Sequence, residues 1–399
     1  MKPDANDRVA ARLERLLSES LESARERQTG AIVERLGSLD RPFVLFGAGN
    51  LGTRTASTLT TLGYRPLALI DNNPAKWGTS IGGIEIRRPS DFAAEDRGDT
   101  PGVIVTTWAA EGVDRMSAII EPLRELGYSR VAHFGQLGWR FPDEFLPHYA
   151  LDLPEKVLRA ASQVRAAFDL LDSDSRELFV DHIEWRLTLN FDLLPSTSEK
   201  LAYFDESLIA GNPDEVLYDL GGFTGDTVQD YLDAGRSYRE IHSFEPEADN
   251  FAAMLQRFDA LESPNIFGHR LAVGDVEGEV SVESGRGPSA RIGAGDESVP
   301  MTTIDRFAQH APAPTLIKLD IEAAEPLALK GGRGVISHGH PAIAVCVYHL
   351  QDHIWSIPLQ LRDYHDGYRF SLCPHGPNGW DLVLYALPSE RVPGAADVG

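Results

Sequence analysis

The chain has 399 residues and carries 60 Asp and Glu against 37 Lys and Arg, a formal charge of −23. That length suffices for about two or three domains, each with its own core. The charge excludes polyphosphate partners, because gripping nucleic acid or an anionic membrane takes clustered Lys and Arg. We therefore expect neither as a partner. The segment MKPDANDRVAARLER lacks the apolar centre of a signal peptide, and stretches such as 342–347 are too short to span a bilayer. Cys346 and Cys373 form neither a disulfide framework nor a zinc site, which suits a reducing compartment, so the expected location is cytoplasmic.

In chain order, Val9, Leu13, Leu16, Leu17, Leu21, Ile32, Val33 and Leu36 recur at helical spacing. Residues 1–40 are thus expected as an amphipathic helical segment, lying on the next domain or serving a homo-oligomer contact. Residues 41–145 read as a Rossmann-like parallel-sheet domain of nucleotide-binding type, with strands at 43–46, 66–70, 102–106 and 130–134 and a helix around 116–126. Residues 146–200 form a helical connector assigned to the second domain. There Val157, Ala161, Val164, Phe168 and Leu171 share one face, and Ser173 or Ser175 caps a helix continued by Phe179, Ile183 and Leu187. From 201 to 390 the alternation resumes, with strands at 216–220, 240–244, 266–273, 316–319 and 342–348. The final strands, 368–372 and 382–387, are joined only by a polar loop at 373–381 and must pair antiparallel.

Two glycine loops each follow a strand and open a helix. The first is Gly47-Ala48-Gly49-Asn50-Leu51-Gly52, with Asp71 ending the next strand. Glycines there permit a tight turn and let phosphate approach the helix N-terminus, and an acid in that place can bind a ribose hydroxyl. Gly47, Gly49, Gly52 and Asp71 are the candidate nucleotide site; the alternative is glycines that serve packing alone. The stretch IDNNPAKWGTSIGG at 70–83 resembles amino-terminal domains of sugar-modifying enzymes, which implies a nucleotide or nucleotide-sugar ligand.

The second loop, Asp219-Leu220-Gly221-Gly222-Phe223-Thr224-Gly225-Asp226-Thr227, is followed by Glu245 in SFEPE. Here an acid opens the loop and the helix begins with Asp226, a poor neighbour for pyrophosphate. A cofactor with an amino-acid group and no phosphate fits better, and S-adenosyl-L-methionine is one. Glycine backbone can approach its methionine portion, an acid can take its ammonium, and Glu245 can accept both ribose hydroxyls. Packing glycines beside a surface acid are again the alternative.

The blocks VLYDLGGFTGDTV, IHSFEPEADNF, LAVGDVEGEV, MTTID, TLIKLDIEAAEPLALKGG, VYHLQDHIWSIPL and YRFSLCPHGPNGWDLVLYALP occur in that order. Over about residues 197–388 they resemble the FkbM family of S-adenosylmethionine-dependent methyltransferases. Helices like DLLDSDSRELFVDHIEWRLT resemble the lead-in of longer FkbM-type proteins with an N-terminal Rossmann-like domain. The resemblance implies an α/β fold with a class I, seven-stranded methyltransferase domain ending in an antiparallel strand pair. It also implies O-methylation of a hydroxyl on a sugar, glycan or natural product. The cofactor site it suggests comprises Tyr203, Asp219, Gly221, Gly222, Gly225, Thr227, Glu245, Pro246, Ala272, Val273 and Asp320. One departure is Ala323-Ala324 where the family usually reads Gly-Ala, which puts the geometry of that loop in question.

Methyl transfer from a sulfonium needs alignment and a path for the acceptor proton, not a covalent nucleophile. The carboxyl ends of the strands rim the pocket in an open α/β sheet, which brings Asp219, Glu245, Asp320, Glu322, Glu325 and His349 toward one edge. His349 is the expected base, as a rim residue whose loss spares the fold, with His353 and His375 behind it. Asp320 and Glu322 alternate, so they are expected to face opposite sides if the strand continues; their other role is to orient Lys318. Asp320, Glu322 and Glu325 could hold Mg²⁺ through oxygen ligands, but no dedicated loop is seen and metal is left unassigned. The acidic, glycine-rich stretch 284–298 reads as a loop over adenine or acceptor. Two rival readings are an NAD(P)- or nucleotide-sugar-dependent enzyme working at the first loop, and a noncatalytic nucleotide-binding protein. The first half has no Tyr-x-x-x-Lys pair for hydride transfer.

Overall fold

The N-terminal segment is two helices, Ala5–Leu17 and Leu21–Leu36, because the Ser20 hydroxyl accepts from Ser23 N–H and starts a new helix in place of one continuous one. The structure, a computed structural model, describes residues 5–92, 100–108, 115–196, 203–261, 263–282, 295 and 297–394. Among the described residues no helix is long and apolar enough to cross a membrane. The chain divides into two compact units: 1–161 with 177–198 and 376–380, and 162–176 with 199–375 and 381–399.

In the first unit the strands are β1 (Phe43–Phe46), β2 (Leu69–Ile70), β3 (Ser80–Ile81), β4 (Ile84–Arg87), β5 (Gly102–Val105) and β6 (Val131–His133). They lie in the order β3-β4-β2-β1-β5-β6, all pairs parallel except the β3-β4 hairpin. Every residue of β1 and β5 is buried, as in a sheet covered on both faces. Because β1 runs between β2 and β5, its glycine loop opens where the strand order reverses, the usual place for a ligand in such sheets. This unit also draws on distant sequence: Trp108 Nε1 donates to the Asn378 carbonyl at 3.1 Å, and Asn378 Nδ2 donates back to the Trp108 carbonyl at 2.9 Å.

The second unit holds β7 (Val216–Leu220), β8 (Glu240–Phe244), β9 (Ile266–His269), β13 (Leu316–Leu319), β14 (Ala342–Cys346), β15 (Arg369–Pro374) and β16 (Leu382–Leu387), with β10, β11 and β12 set apart. The seven-stranded sheet has the order β15-β16-β14-β13-β7-β8-β9, with β16 antiparallel to both neighbours and the remaining pairs parallel. The expected strand at 266–273 is interrupted, since Leu271 N–H turns back to the His269 carbonyl. Its end becomes β10 (Ala272–Val273), which joins β11 (Gly278–Val282) and β12 (Glu297–Thr302) in a separate small sheet.

The connector also divides differently from expectation. Its helices are Pro154–Arg159, Ala161–Leu170 and Ser173–Thr188, and the division between units falls inside the last. Of the expected loop at 284–298, residues 284–294 and 296 lie outside the described residues, and Glu297 and Ser298 belong to β12.

Candidate functional site

The site of the second unit is built over a buried ion pair. Lys318 in β13 and Asp219 in β7 are register partners, each a charged residue within an apolar strand. Lys318 Nζ lies 3.2 Å from Asp219 Oδ1 and donates to the Gly221 carbonyl at 2.8 Å, and Asp219 Oδ2 accepts from Ser243 Oγ at 2.7 Å. Burial opposes the ammonium charge, but Asp219 and then Asp320 hold Lys318 well above the ordinary lysine range. Asp219 is 0% exposed, with Oδ2 taken by Ser243 and Oδ1 facing Lys318, so it braces the loop from within the sheet.

The loop above that pair is fixed by contacts that only glycine allows. Gly221 has φ +86, and a Cβ there would sit 1.9 Å from the Asp320 carbonyl oxygen. At Gly222 a Cβ would meet Ser243 Oγ at 2.1 Å. Gly225, at φ +80, caps the helix Asp226–Asp233 in whose first turn Thr227 lies. Glu245 follows β8, its Oε2 accepting from Phe223 N–H and its Oε1 from Glu247 N–H, both at 2.9 Å. Burial pushes this carboxyl up to about 7 despite those donors. Pro246 follows it, half-buried, while Ala272 and Val273 are buried in the small sheet.

At the ends of β13 and β14 lies a second group. The strand does not continue past Leu319, because Glu322 and Ala323 adopt φ +53 and +82. Asp320 and Glu322 therefore do not face opposite sides: Asp320 Oδ1 and Glu322 Oε1 lie 3.3 and 3.7 Å from the same atom, His349 Nε2. On the other side of the ring, His349 Nδ1 is 2.8 Å from Glu325 Oε1, and Glu325 Oε2 is 3.5 Å from His353 Nδ1. Burial disfavours the imidazolium, but Glu325 and Asp320 outweigh it and raise His349 well above the usual histidine value. In return His349, with Lys318, draws Asp320 far below the usual carboxylate range against the effect of burial.

Two expectations change here. His349 is not a rim residue but 1% exposed, behind Asp320, which keeps 27% of its side chain exposed, and Glu322, which keeps 14%. His375 belongs to another set, stacked on Tyr203 at 4.6 Å and bonded through Nε2 to the Tyr385 hydroxyl at 2.8 Å. Tyr203 itself reaches Cys346 Sγ at 3.5 Å, at the end of β14. Asp320, Glu325 and His349 present ligand atoms all within 4.8 Å of one another, a spacing that would also suit a cation. The protonated ring supplies positive charge to the same carboxylates. Neither Tyr348, whose hydroxyl donates to Asp320 Oδ1 at 3.4 Å, nor Ser243 was legible as a participant from spacing. Lys318 had a signal, a charge inside TLIKL opposite the charge inside VLYDL.

The order of the seven strands, with one antiparallel member next to the edge and acidic loops along one rim, defines a methyltransferase fold. Residues 219–372, within this unit, match the family model for the methyltransferase FkbM domain. The crystal structure of methyltransferase FkbM from Methylobacillus flagellatus KT is similar over 96% of this chain and 98% of that one, with TM-score 0.74 and 18% identity. At that identity the likeness speaks for the fold. More distant likenesses include precorrin-6y C5,15-methyltransferase from Geobacter metallireducens GS-15 (TM-score 0.31, 11% identity, 46% of this chain and 85% of that one). Another is Aeropyrum pernix fibrillarin in complex with natively bound S-adenosyl-L-methionine (TM-score 0.27, 14% identity, 44% and 67%). Neither is close enough to carry an argument. No curated protein matches the sequence.

Two outcomes follow from this geometry. Ala323 holds a backbone conformation that suits glycine, so Ala323→Gly should raise stability by about 1 kcal/mol, measured as a higher Tm. His349→Ala strips the buried Glu325 carboxylate of its cation and should lower unfolding free energy by about 3–5 kcal/mol, measured by urea titration.

Proposed function

We propose that the second unit transfers a methyl group from S-adenosyl-L-methionine to a hydroxyl on a sugar, glycan or other natural product. The observation that carries this reading is the meeting of two chemically different groups along one sheet edge. One is the β7 loop with Glu245, and the other is Asp320 and Glu322 backed by His349. Glu245 suits a ribose, being a carboxylate fixed by two backbone donors with lone pairs to spare. The second group has three carboxylates to one imidazolium, and its negative potential suits a cationic sulfonium donor.

When bound, S-adenosylmethionine supplies a methyl group already activated for displacement, which leaves alignment and proton reception to the chain. Asp320, the most open of the group, accepts a hydrogen bond from the acceptor hydroxyl and receives its proton as the oxygen is methylated. His349 works behind it as a positioning residue. Its Nε2–H fixes the Asp320 carboxylate and keeps it ionised, and Glu325 fixes the ring through Nδ1. This replaces the expectation of His349 as the direct base, since a ring covered by Asp320 and Glu322 does not reach an acceptor.

Titration with S-adenosylhomocysteine tests the cofactor half. Glu245 is protonated below about pH 7 and accepts ribose hydroxyls best when ionised, so affinity should rise between pH 6 and 8. Glu245→Gln should bind roughly tenfold more weakly at pH 8 and lose that pH dependence; unchanged affinity removes Glu245 from the site. Release of S-adenosylhomocysteine with a panel of hydroxylated glycosides tests the other half. Asp320→Asn should lower kcat by about 10²–10⁴-fold. His349→Asn removes the positive charge that depresses the Asp320 pKa, so the acid limb of its kcat profile should move to higher pH. An acid limb that stays in place leaves His349 with a purely structural role.

A further inference from the structure

We infer that the first unit carries a second ligand site, one that takes a nucleoside phosphate ester, independent of the methyl-transfer site. It is a cavity of about 330 Å³ at the carboxyl end of β1. Gly47, Gly49, Asp71 and Lys76 line its polar side, and Ile119 and Leu123 line part of its apolar side.

The three glycines of the first loop are there for different reasons. Gly47 has φ +106, and a Cβ on it would meet Thr107 Oγ1 at 2.2 Å; a Cβ on Gly52 would lie 1.8 Å from the Gly47 carbonyl oxygen. Both are demanded by packing. Gly49 is not, for its backbone is extended at φ −94 and ψ −163, and a Cβ there meets nothing within 4 Å. Among the described residues nothing requires glycine at that position, yet it lines the cavity. The space a side chain would fill is left open.

Gly49 is also the N-cap of the helix Asn50–Thr61, the place where Ser, Thr, Asp or Asn ordinarily accepts from first-turn N–H groups. No side chain caps this helix, and no acid occupies its first turn. Donors that a better capping residue would satisfy are thus left for an anion from outside, with the helix dipole favouring it. The cation beside them is Lys76, whose Nζ donates to Asp71 Oδ2 at 2.9 Å and to the Ala48 carbonyl at 3.3 Å. Asp71 serves as the anchor: its Oδ2 also accepts from Ala48 N–H and its Oδ1 from Asn73 N–H, each at 2.8 Å. It is therefore committed to the loop and to Lys76, where the sequence reading had it binding ribose. The apolar side chains that share the lining, such as Ile119 and Leu123, suit the face of a base. The volume is at the lower end for small-molecule sites, which fits one nucleotide better than a dinucleotide.

A mononucleotide and a nucleotide-sugar share this chemistry, and calorimetric titration of the full chain separates them. UMP, AMP, UDP-glucose and NAD⁺ are compared with phosphate-free uridine and adenosine. At least one of UMP, AMP and UDP-glucose should bind, with its nucleoside tenfold or more weaker. UDP-glucose tighter than UMP identifies a nucleotide-sugar site, and equal or weaker binding identifies a mononucleotide site. Gly49→Asp places a carboxylate at the cap and should reduce nucleotide affinity at least tenfold while leaving the Tm of the unliganded protein unchanged or raised. Lys76→Met should also cost tenfold or more. The inference is overturned if none of the three nucleotides binds, if a nucleoside binds as tightly as its phosphate ester, if NAD⁺ binds more tightly than AMP, or if both variants retain full affinity.

Discussion

A single buried ammonium sets the form of the methyltransferase loop. Lys318 is 2% exposed and sits under Gly221, tying the carbonyl of the loop to the carboxylate that opens it. Asp219 passes the restraint on to Ser243, so three adjacent strands, β13, β7 and β8, are joined by one chain of polar contacts inside an apolar sheet. Breaking such a buried pair from one side leaves an uncompensated charge, a far larger penalty than losing a surface bridge. Glu245 depends on the same frame, because the Phe223 N–H that it accepts from is presented by that loop.

The group at the ends of β13 and β14 is built on the opposite principle. The Lys318 pair is close to electrically balanced, whereas the carboxylates around His349 outnumber the cations beside them. Excess negative charge is expensive to bury, and the protein keeps Asp320 and Glu322 partly open to solvent while enclosing Glu325 and both histidines. An unbalanced, half-open cluster beside a rigid, balanced one is the arrangement expected where charge changes during a reaction and the frame must not move.

Much of this was legible in the sequence, and the failures have physical causes. The apolar runs at 43–46, 216–220, 316–319 and 382–387 became strands with those bounds, since strands buried on both faces of a sheet read as continuous apolar stretches whatever their direction. The antiparallel ending followed from a loop too short for a crossover. By contrast, alternation misplaced Glu322 because it assumes the strand goes on, and a positive φ at Glu322 and Ala323 is not written in residues other than glycine. Topology brought His349 to the correct edge and could not reveal its depth, which depends on how Asp320 and Glu322 fold over it. The two glycine loops look alike as text. Only the surroundings of each absent Cβ show that Gly221 and Gly222 serve packing while Gly49 leaves space.

The pairing of Trp108 with Asn378 bears on how the protein is made. Asn378 leaves the ribosome 270 residues after Trp108, so the first unit emerges in nearly complete form yet waits for that segment to close these two hydrogen bonds. During that interval nearly all of the second unit is synthesised, and it must fold without consuming the segment 376–380, which interrupts its own sequence. Neither unit can then be released from the other by one cut in the gene. A clone that ends after residue 198 lacks the closing segment of the first unit, and one that begins there lacks residues 162–176 of the second.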